Sequence, residues 1–516
     1  MHLSPVDLAV LVTYFGMMLG LGAYFSRKNT TTEQYFLGNR NFSGWVIGLS
    51  LVGTSISSIT FLAYPGDAFK TNWLRFLPNL MLPIAVIVAA AWFLPRLRKS
   101  NAVTAYEFLE TRFGPIVRSY GAIAFLFAQT ARVSMVLYLI SLVLQTITGL
   151  PATYCVLIAG FFVAAYTIMG GIEAVIWTDV IQTIVLIAGG LFCIGSIVIA
   201  IPGGLGTILE TAWAADKLSV GDFTANGYQS ASWLPALTEK TALMMLLIGL
   251  ISWLTEYSSN QNTVQRFCAS RSESEARKAL FICAAVSLPT WAFFMFLGTA
   301  LWVFFGNFPA ELATGILEGK NKAEEILPYY IIHHLPVGLV GLVLAAAIAA
   351  AMSSLDSSIN AMATVATHDL YRRFSVKERS DAHYLRFARW FTTGSSLLMM
   401  AGALYLIDAS TSTLQDTATI ITALFAGGLL TIYLIGFFSK RCSTIHISLG
   451  IAATMLYTGW TLLASDNVAP YPFDLYYTGL IGNIVMFVVA YGSSYLIRTD
   501  VSHHQKSLAQ GGQSGA

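Results

Sequence analysis

The stretch GLSLVGTSISSITFLAYPGD, residues 48–67, has the apolar composition of a membrane helix but carries small polar residues in its middle. A single serine in such a helix usually bonds back to the preceding turn or to a neighbouring helix. Here six of the eight residues 53–60 are small and polar, and Pro65 and Gly66 follow them. Non-helical backbone at membrane depth persists only where it is buried in protein or lines a cavity. The stretch therefore predicts a broken transmembrane helix, a feature of transporters whose freed carbonyl oxygens can bind a cation.

The composition of the chain predicts an integral membrane protein. Of its 516 residues, 56% are hydrophobic and only 11% are charged, against about a quarter charged in soluble domains. The net charge of +2 does not favour a nucleic-acid partner. The five cysteines are scattered without a disulfide or metal spacing, so we interpret them as buried thiols. No polar segment is long enough for a soluble catalytic or signalling domain, so we do not expect an enzyme.

Thirteen apolar runs have the length of about 20 residues that crosses the hydrocarbon core as a helix. They are 6–26, 44–69, 73–95, 119–148, 152–170, 174–201, 241–259, 279–306, 335–366, 386–407, 413–438, 444–464 and 475–497. If the N-terminus is outside, 22 of the 29 Lys and Arg residues, Arg266 among them, fall in inside segments, as cytoplasmic loops require. This pattern predicts an outside N-terminus, a cytoplasmic C-terminus and extracellular loops at 202–240 and 307–334.

The ninth run ends in AAAMSSLDSSIN, residues 349–360. On a helix Ser353, Ser357 and Asn360 share one face, and Ser354 and Ser358 form an adjacent stripe. Hydroxyl and carbonyl oxygens are the ligands of a hard cation such as sodium, whereas softer metals prefer His or Cys. The eight histidines of the chain show no metal-ligand spacing. The ninth run therefore predicts one wall of a sodium site.

Two carboxylates, Asp179 and Asp356, lie within predicted spans. An ionisable residue in a span is costly and is a functional hypothesis by default. The alternative for Asp179 is a position at the membrane interface, because it lies only one or two turns into its run. For Asp356 the alternative is a salt bridge at the cytoplasmic end with Arg372 or Arg373. We favour a cation-binding role for both carboxylates.

Arg132 lies in the middle of the fourth run, with about a dozen apolar residues on either side. That depth rules out extension of its side chain to the interface. Its guanidinium either pairs with a protein carboxylate, for which Glu256 is a candidate, or binds an anionic solute through its planar fork. Both alternatives stay open from the residues alone.

Five stretches together resemble the sodium:solute symporter family. They are YFLGNRNFSGW (35–45), GTSISSITF (53–61), YTIMGGIEAVIWTDVIQ (166–182), NQNTVQR (260–266) and AAAMSSLDSSINAMATVATHDLY (349–371). The resemblance implies an all-α membrane protein with 13 transmembrane helices and the LeuT-type architecture of two inverted five-helix repeats. Its segments would be 1–43 with the first span, 44–201 as the first repeat, 202–240 as an extracellular loop, 241–438 as the second repeat, 439–497 with two further spans, and 498–516 as a disordered cytoplasmic tail.

Within that family, TAYEFLETRF (104–113) and ARVSMVLYL (131–139) are similar to the bacterial sialic acid symporters. The resemblance implies a main sodium site formed by carbonyls of Gly53, Ile56 and Ala350 and hydroxyls of Ser353 and Ser354. It implies solute contacts by Ser55, Ser57, Thr60, Asn79 and Arg132, and a second sodium site at Asp179, Ser353, Asp356 and Ser357. Three positions depart from those carriers, because Asp356 replaces a serine, Asn79 a glutamine and Ser55 a threonine. Asp356 followed by SSINAM is more similar to the iodide and vitamin branch.

These features predict a sodium-coupled symporter that imports a small organic solute, preferably an acidic sugar such as sialic acid, by alternating access. The alternatives are a neutral sugar or polyol, a monocarboxylate, a vitamin or an inorganic anion, and outside transport a membrane sensor or a channel. The expected partners are the solute, sodium ions and the lipid bilayer, with no nucleic acid and no obligate protein partner. The resemblance implies a multi-pass protein of the bacterial inner membrane.

Overall fold

The computed structural model describes residues 4–27, 31–99, 102–224, 227–408, 427–465 and 472–497. These residues form α-helices almost throughout, with one antiparallel hairpin that pairs Gly221–Thr224 with Gly227–Ser230. The first helices are α1 Pro5–Ser26, α2 Thr32–Leu37, α3 Gly44–Ser55, α4 Tyr64–Lys70, α5 Leu82–Val88, α6 Leu94–Lys99, α7 Glu107–Phe113, α8 Pro115–Thr148, α9 Ala152–Ala200 and α10 Gly204–Ala214. They are followed by α11 Ala242–Ser259, α12 Gln261–Ala269, α13 Glu273–Asn307, α14 Glu311–Leu317, α15 Ile326–His334, α16 Leu339–Val365, α17 Arg372–Phe374, α18 Asp381–Asp408, α19 Leu429–Phe438, α20 Thr444–Ser465 and α21 Thr478–Leu496.

The prediction of an all-helical membrane protein is confirmed. Within the described ranges, nine helical segments are long and apolar enough to cross a membrane, and a bent pair of helices makes a tenth. The predicted runs 152–170 and 174–201 both lie in α9, which is interrupted at Gly171 with φ 57° and ψ −166°. Glycine adopts this conformation without the clash that a Cβ would cause. Most of the predicted run 413–438 lies outside the described residues, and 444–464 corresponds to α20.

The break predicted in the second run is present. Helix α3 ends at Ser55, Ile56 has an extended backbone, and the two halves of the span meet at 58°. The chain re-enters a helix through a π-turn at Ile59–Ala63 before α4. Backbone groups at such a break lack their usual helical partners and must find others.

The far end of α4 is held by Lys217, which lies in the segment after α10. Its ammonium donates hydrogen bonds to the carbonyl oxygens of Phe69 and Thr71, both at 2.8 Å. A cation at a helix C-terminus stabilises it, because the last carbonyls carry partial negative charge. Lys217 is buried, and burial lowers its pKa from 10.5 to about 7.

Helix α16 is the centre of the bundle. Every residue from 343 to 367 is buried, and its largest interface is with α9. The alanine-rich segment 345–351 brings the neighbouring helices close, as small residues do in membrane proteins. The polar stretch 349–360 therefore faces other helices and not lipid.

Several elements extend beyond the predicted spans. Helices α8, α13 and α18 begin at Pro115, Glu273 and Asp381, a turn or more before the predicted starts at 119, 279 and 386. A hydropathy pattern marks only the apolar part of a helix, whereas backbone hydrogen bonding continues into the polar region. The segments 202–240 and 307–334 also contain short helices and the hairpin.

Candidate functional site

The break between α3 and α4 lies against α16, where oxygen atoms from both elements meet. The Ser353 hydroxyl donates to the carbonyl of Gly53 at 2.7 Å and is 3.3 Å from that of Ala350. The Ser354 hydroxyl is 3.3 Å from the carbonyl of Thr54. Four of the five residues predicted for the main sodium site are thus brought together, and Thr54 is an addition that the sequence did not indicate. The fifth, Ile56, is buried at the break itself.

A second polar cluster is built around Asp179 of α9. Its Oδ2 accepts hydrogen bonds from the Ser50 hydroxyl at 2.6 Å and from the Arg266 guanidinium at 2.7 Å. Arg266 also donates to Ser50 at 2.8 Å and to Ser357 at 2.6 Å. Asp179 and Arg266 are fully buried among the helices, so Asp179 is not exposed to solvent.

The distribution of basic residues predicts a cytoplasmic segment for Arg266, whereas the structure buries its side chain completely. The cause is α12, which follows directly on α11 and is buried along its whole length from Gln261 to Ala269. Its polar side chains bond inward, for example Gln265 to Asn360 at 2.9 Å. The sequence carried no local signal for this burial, because Asn and Gln residues such as those of NQNTVQR are usually exposed to solvent.

Asp356 of α16 joins the same cluster. Its carboxylate accepts from the Tyr166 hydroxyl at 2.9 Å and from the backbone N–H of Ser357 at 2.6 Å. The Ser357 hydroxyl lies between the two carboxylates, since it contacts Asp356 at 3.4 Å and accepts from Arg266. The alternative of a cytoplasmic salt bridge is wrong, because Arg372 and Arg373 pair with other residues, Glu378 and Glu110. With both aspartates ionised, the two carboxylates and one guanidinium carry a formal charge of −1.

One cavity of about 320 Å³ lies beside the break. All five predicted solute residues line it: Ser55, Ser57, Thr60, Asn79 and Arg132. Aromatic and further polar residues complete the wall: Tyr64, Trp253, Trp291, Gln129, Glu256, Asn260 and Asn483. An apolar and aromatic wall with a few convergent polar groups is the usual form of a small-molecule site, and this volume suits one small solute.

Arg132 contributes the positive charge of the cavity. It is half-buried, and its guanidinium reaches the Thr54 carbonyl at 3.4 Å. Glu256 forms no ion pair with Arg132; its carboxylate accepts from Asn260 at 2.6 Å and from Thr263 at 2.7 Å. The structure therefore does not support the alternative that ties Arg132 to Glu256.

A broken helix with carbonyl and hydroxyl oxygens at the break, beside a cavity with a few convergent polar groups in a bundle of apolar helices, is typical of a secondary transporter. The residues predicted for the ion and those predicted for the solute lie side by side, because the Thr54 carbonyl contacts both Ser354 and Arg132. The chain belongs to the sodium:solute symporter family, whose model matches residues 35–446. It is a sodium-coupled symporter, so that prediction is confirmed.

Relatives of known name agree with this family. The chain is 30% identical over 500 residues to the sodium/sialic acid symporter NanT of Aliivibrio fischeri, covering 97% of this chain and 95% of that protein. It is 28% identical to the sodium/sialic acid symporter SiaT of Proteus mirabilis, covering 94% and 93%. A solved structure of a Na+-coupled sialic acid symporter, in a substrate-bound outward-open state, superposes with a TM-score of 0.85 at 27% identity, covering 96% of this chain and 98% of that one.

Proposed function

We propose that this protein imports a monoanionic acidic sugar, such as sialic acid, together with sodium. The observation that carries the proposal is Arg132, a guanidinium that lines the cavity and is not paired with the nearby Glu256. A planar guanidinium suits a carboxylate through two parallel hydrogen bonds. Ser55, Ser57, Thr60 and Asn79 would bind hydroxyl groups of the same solute. The named relatives are carriers of sialic acid, which has this combination of groups.

Sodium at Gly53, Ile56, Ala350, Ser353 and Ser354 would order the break and so complete the solute site. The Thr54 carbonyl supports this coupling, since it lies within 3.4 Å of both the Ser354 hydroxyl and the Arg132 guanidinium. An ion that fixes the backbone at residues 53–56 also fixes the wall formed by Ser55 and Ser57. The solute then binds well only with the ion present, which is the thermodynamic requirement for symport.

The buried cluster would provide the second sodium site. Asp179 is already paired with Arg266, so the negative charge left over is that of Asp356, with Ser353 and Ser357 as neighbouring ligands. One cation neutralises the cluster. Each positive charge that moves inward gains about 2.3 kcal/mol per 100 mV. With a monoanionic solute, one sodium makes transport electroneutral and the second lets it use the membrane potential. The similar solved structure is described as having a novel Na+ site.

The architecture we propose is that of 13 transmembrane helices, with inverted five-helix repeats at 44–201 and 241–438. The N-terminus would be outside and the C-terminus in the cytoplasm of a bacterial inner membrane. The distribution of Lys and Arg along the chain supports this orientation. An impermeant thiol reagent applied to single-cysteine variants at exposed positions on either side would test it.

Uptake of labelled sialic acid into proteoliposomes tests the function. We expect accumulation with an inward sodium gradient, and none with a proton gradient alone. Arg132→Gln should abolish accumulation of the acid, because the carboxylate loses its partner, whereas Arg271→Gln, an exposed position outside the cavity, should leave it unchanged. Accumulation of neutral sugars by the wild type, with acid uptake unaffected in R132Q, would establish the neutral-solute alternative instead. A solute leak without sodium would indicate a channel.

A further inference from the structure

The cavity contains a negative charge as well as a positive one. Glu256 of α11 lines it together with Arg132 of α8, and both side chains are half-buried. They form no ion pair with each other: Arg132 contacts the Thr54 carbonyl, and Glu256 accepts from Asn260 and Thr263. The proposed binding of a solute carboxylate to Arg132 does not explain why Glu256 lines the same cavity.

The hydrogen bonds that Glu256 accepts fix its carboxylate but do not use all of its acceptor positions. Its Oε2 accepts from Asn260 Nδ2 at 2.6 Å and its Oε1 from the Thr263 hydroxyl at 2.7 Å. A carboxylate has about four acceptor positions, so one on each oxygen is still available. A carboxylate can only accept, and therefore this part of the cavity requires donors from a solute.

Asn260 and Ser259 line the cavity next to Glu256, and Gln129 lines it from α8. The side-chain carbonyl of Gln129 accepts from the Asn262 side chain, and the Asn262 backbone N–H donates to Asn260, the residue that caps α12. Glu256 is thus part of a fixed polar wall. Fixed groups recognise a ligand with little loss of side-chain entropy.

We propose that Glu256 determines which acids are transported, by accepting hydrogen bonds from a solute end that carries hydroxyl, amide or ammonium donors and by repelling a solute with a second carboxylate there. This inference rests on the proposed function, in which Arg132 binds the first carboxylate. The solute class is then a monocarboxylate with a donor-rich remote end. Like charges that face each other across a binding site are a common means of excluding wrong ligands.

A matched pair of sialic acid derivatives, shortened to C7 and ending in either a primary alcohol or a carboxylate, tests the inference. Each derivative is used as an inhibitor of the sodium-dependent uptake of labelled sialic acid, and the concentration that halves this uptake is measured. The readout is the ratio of the two concentrations. For the wild type we expect the alcohol to be preferred by about tenfold or more. In Glu256→Gln, which keeps the shape but removes the charge, the ratio should fall to within about threefold.

Glu318→Gln is the matched control, because Glu318 is an exposed glutamate paired with Lys320 and does not line the cavity. Its ratio should equal that of the wild type. A general loss of stability weakens both inhibitors together and does not change their ratio. If E256Q does not fold, Glu256→Ala is measured in its place, and the same fall in the ratio is expected because the charge is again removed.

The outcomes separate the two proposals. A wild type that shows no sodium-dependent binding of any acid overturns the proposed function and this inference with it. Uptake of sialic acid with no preference between the two derivatives overturns the inference alone. So does a preference that is the same in E256Q and in the wild type.

Discussion

Replacing Arg266 with Gln tests the buried charge cluster most directly. The guanidinium is 2.7 Å from the Asp179 carboxylate, and both side chains are at most 1% exposed. Removing one partner of a buried ion pair leaves an uncompensated charge and costs about 3–5 kcal/mol. We expect R266Q to lower the free energy of unfolding by about 3–5 kcal/mol in sodium-free buffer.

The double variant R266Q with Asp179→Asn removes both charges of the pair. It should recover most of the lost free energy, because neutral groups of the same shape do not carry the cost of an unpaired charge. The effect of added sodium on stability provides a second test of the buried cluster. A cation can neutralise the carboxylate that R266Q releases, so added sodium should stabilise R266Q more than the wild type, by mass action on the folded state.

The measurement is denaturant unfolding of purified protein in detergent micelles, with and without sodium, followed by tryptophan fluorescence. Arg271→Gln is the matched control, because its pair with Glu275 is solvent-exposed and such pairs contribute at most about 1 kcal/mol. Equal destabilisation by R266Q and R271Q would refute the role assigned to the buried pair. Failure of the double variant to recover stability would show that Arg266 acts through its other hydrogen bonds.

Three further changes have defined outcomes. Ser353→Ala removes a hydroxyl of the main ion site and should raise the sodium concentration for half-maximal uptake about tenfold or more; an unchanged value removes Ser353 from the site. The pKa of Lys217 is about 7 in the folded protein against 10.5 as its ordinary value. Between these pH values the unfolded chain binds one more proton than the folded protein. Raising the pH from 7 to 9 should therefore increase the stability of the wild type relative to Lys217→Met by about 2 kcal/mol in thermal unfolding; the same pH dependence in both proteins would contradict this. A Cβ at Gly298 would lie 2.2 Å from the Pro65 carbonyl oxygen, whereas Gly306 on the same helix has open space. Gly298→Ala should therefore cost about 1–3 kcal/mol and Gly306→Ala should not; similar unfolding midpoints for the two would refute the close packing.

The elements that could be predicted are those whose signal is local. The break at residues 53–60 was predicted because hydroxyl side chains, a proline and a glycine interrupt an apolar run, and the structure has a 58° bend there. The polar face of α16 was predicted from helical spacing, which places Ser353 and Ser357 on one face and Ser354 on the adjacent stripe. The five solute residues came from the resemblance to the family, and the structure arranges them around one cavity, although their binding role stays a proposal.

The elements that could not be predicted depend on which helices meet. The contact of Thr54 with Ser354 could not be predicted from its side chain, because Thr54 makes it through its backbone carbonyl. The kink of α9 required the conformation of Gly171, which composition does not reveal among the many glycines of the chain. Helix boundaries were also missed by a turn or more, since hydropathy ends before the helical hydrogen bonds do.

The sequence by itself determined that this is a membrane protein with a broken helix and with ionisable residues at membrane depth, because each of these depends on residues close together in the chain. Only the tertiary structure decided the partners of those charges. Asp179 and Arg266 are 87 residues apart in sequence and 2.7 Å apart in space, whereas Arg132 contacts the Thr54 carbonyl and Glu256 accepts from Asn260 and Thr263. The energy of a buried charge depends on its nearest neighbours, and those neighbours are set by the packing of distant helices.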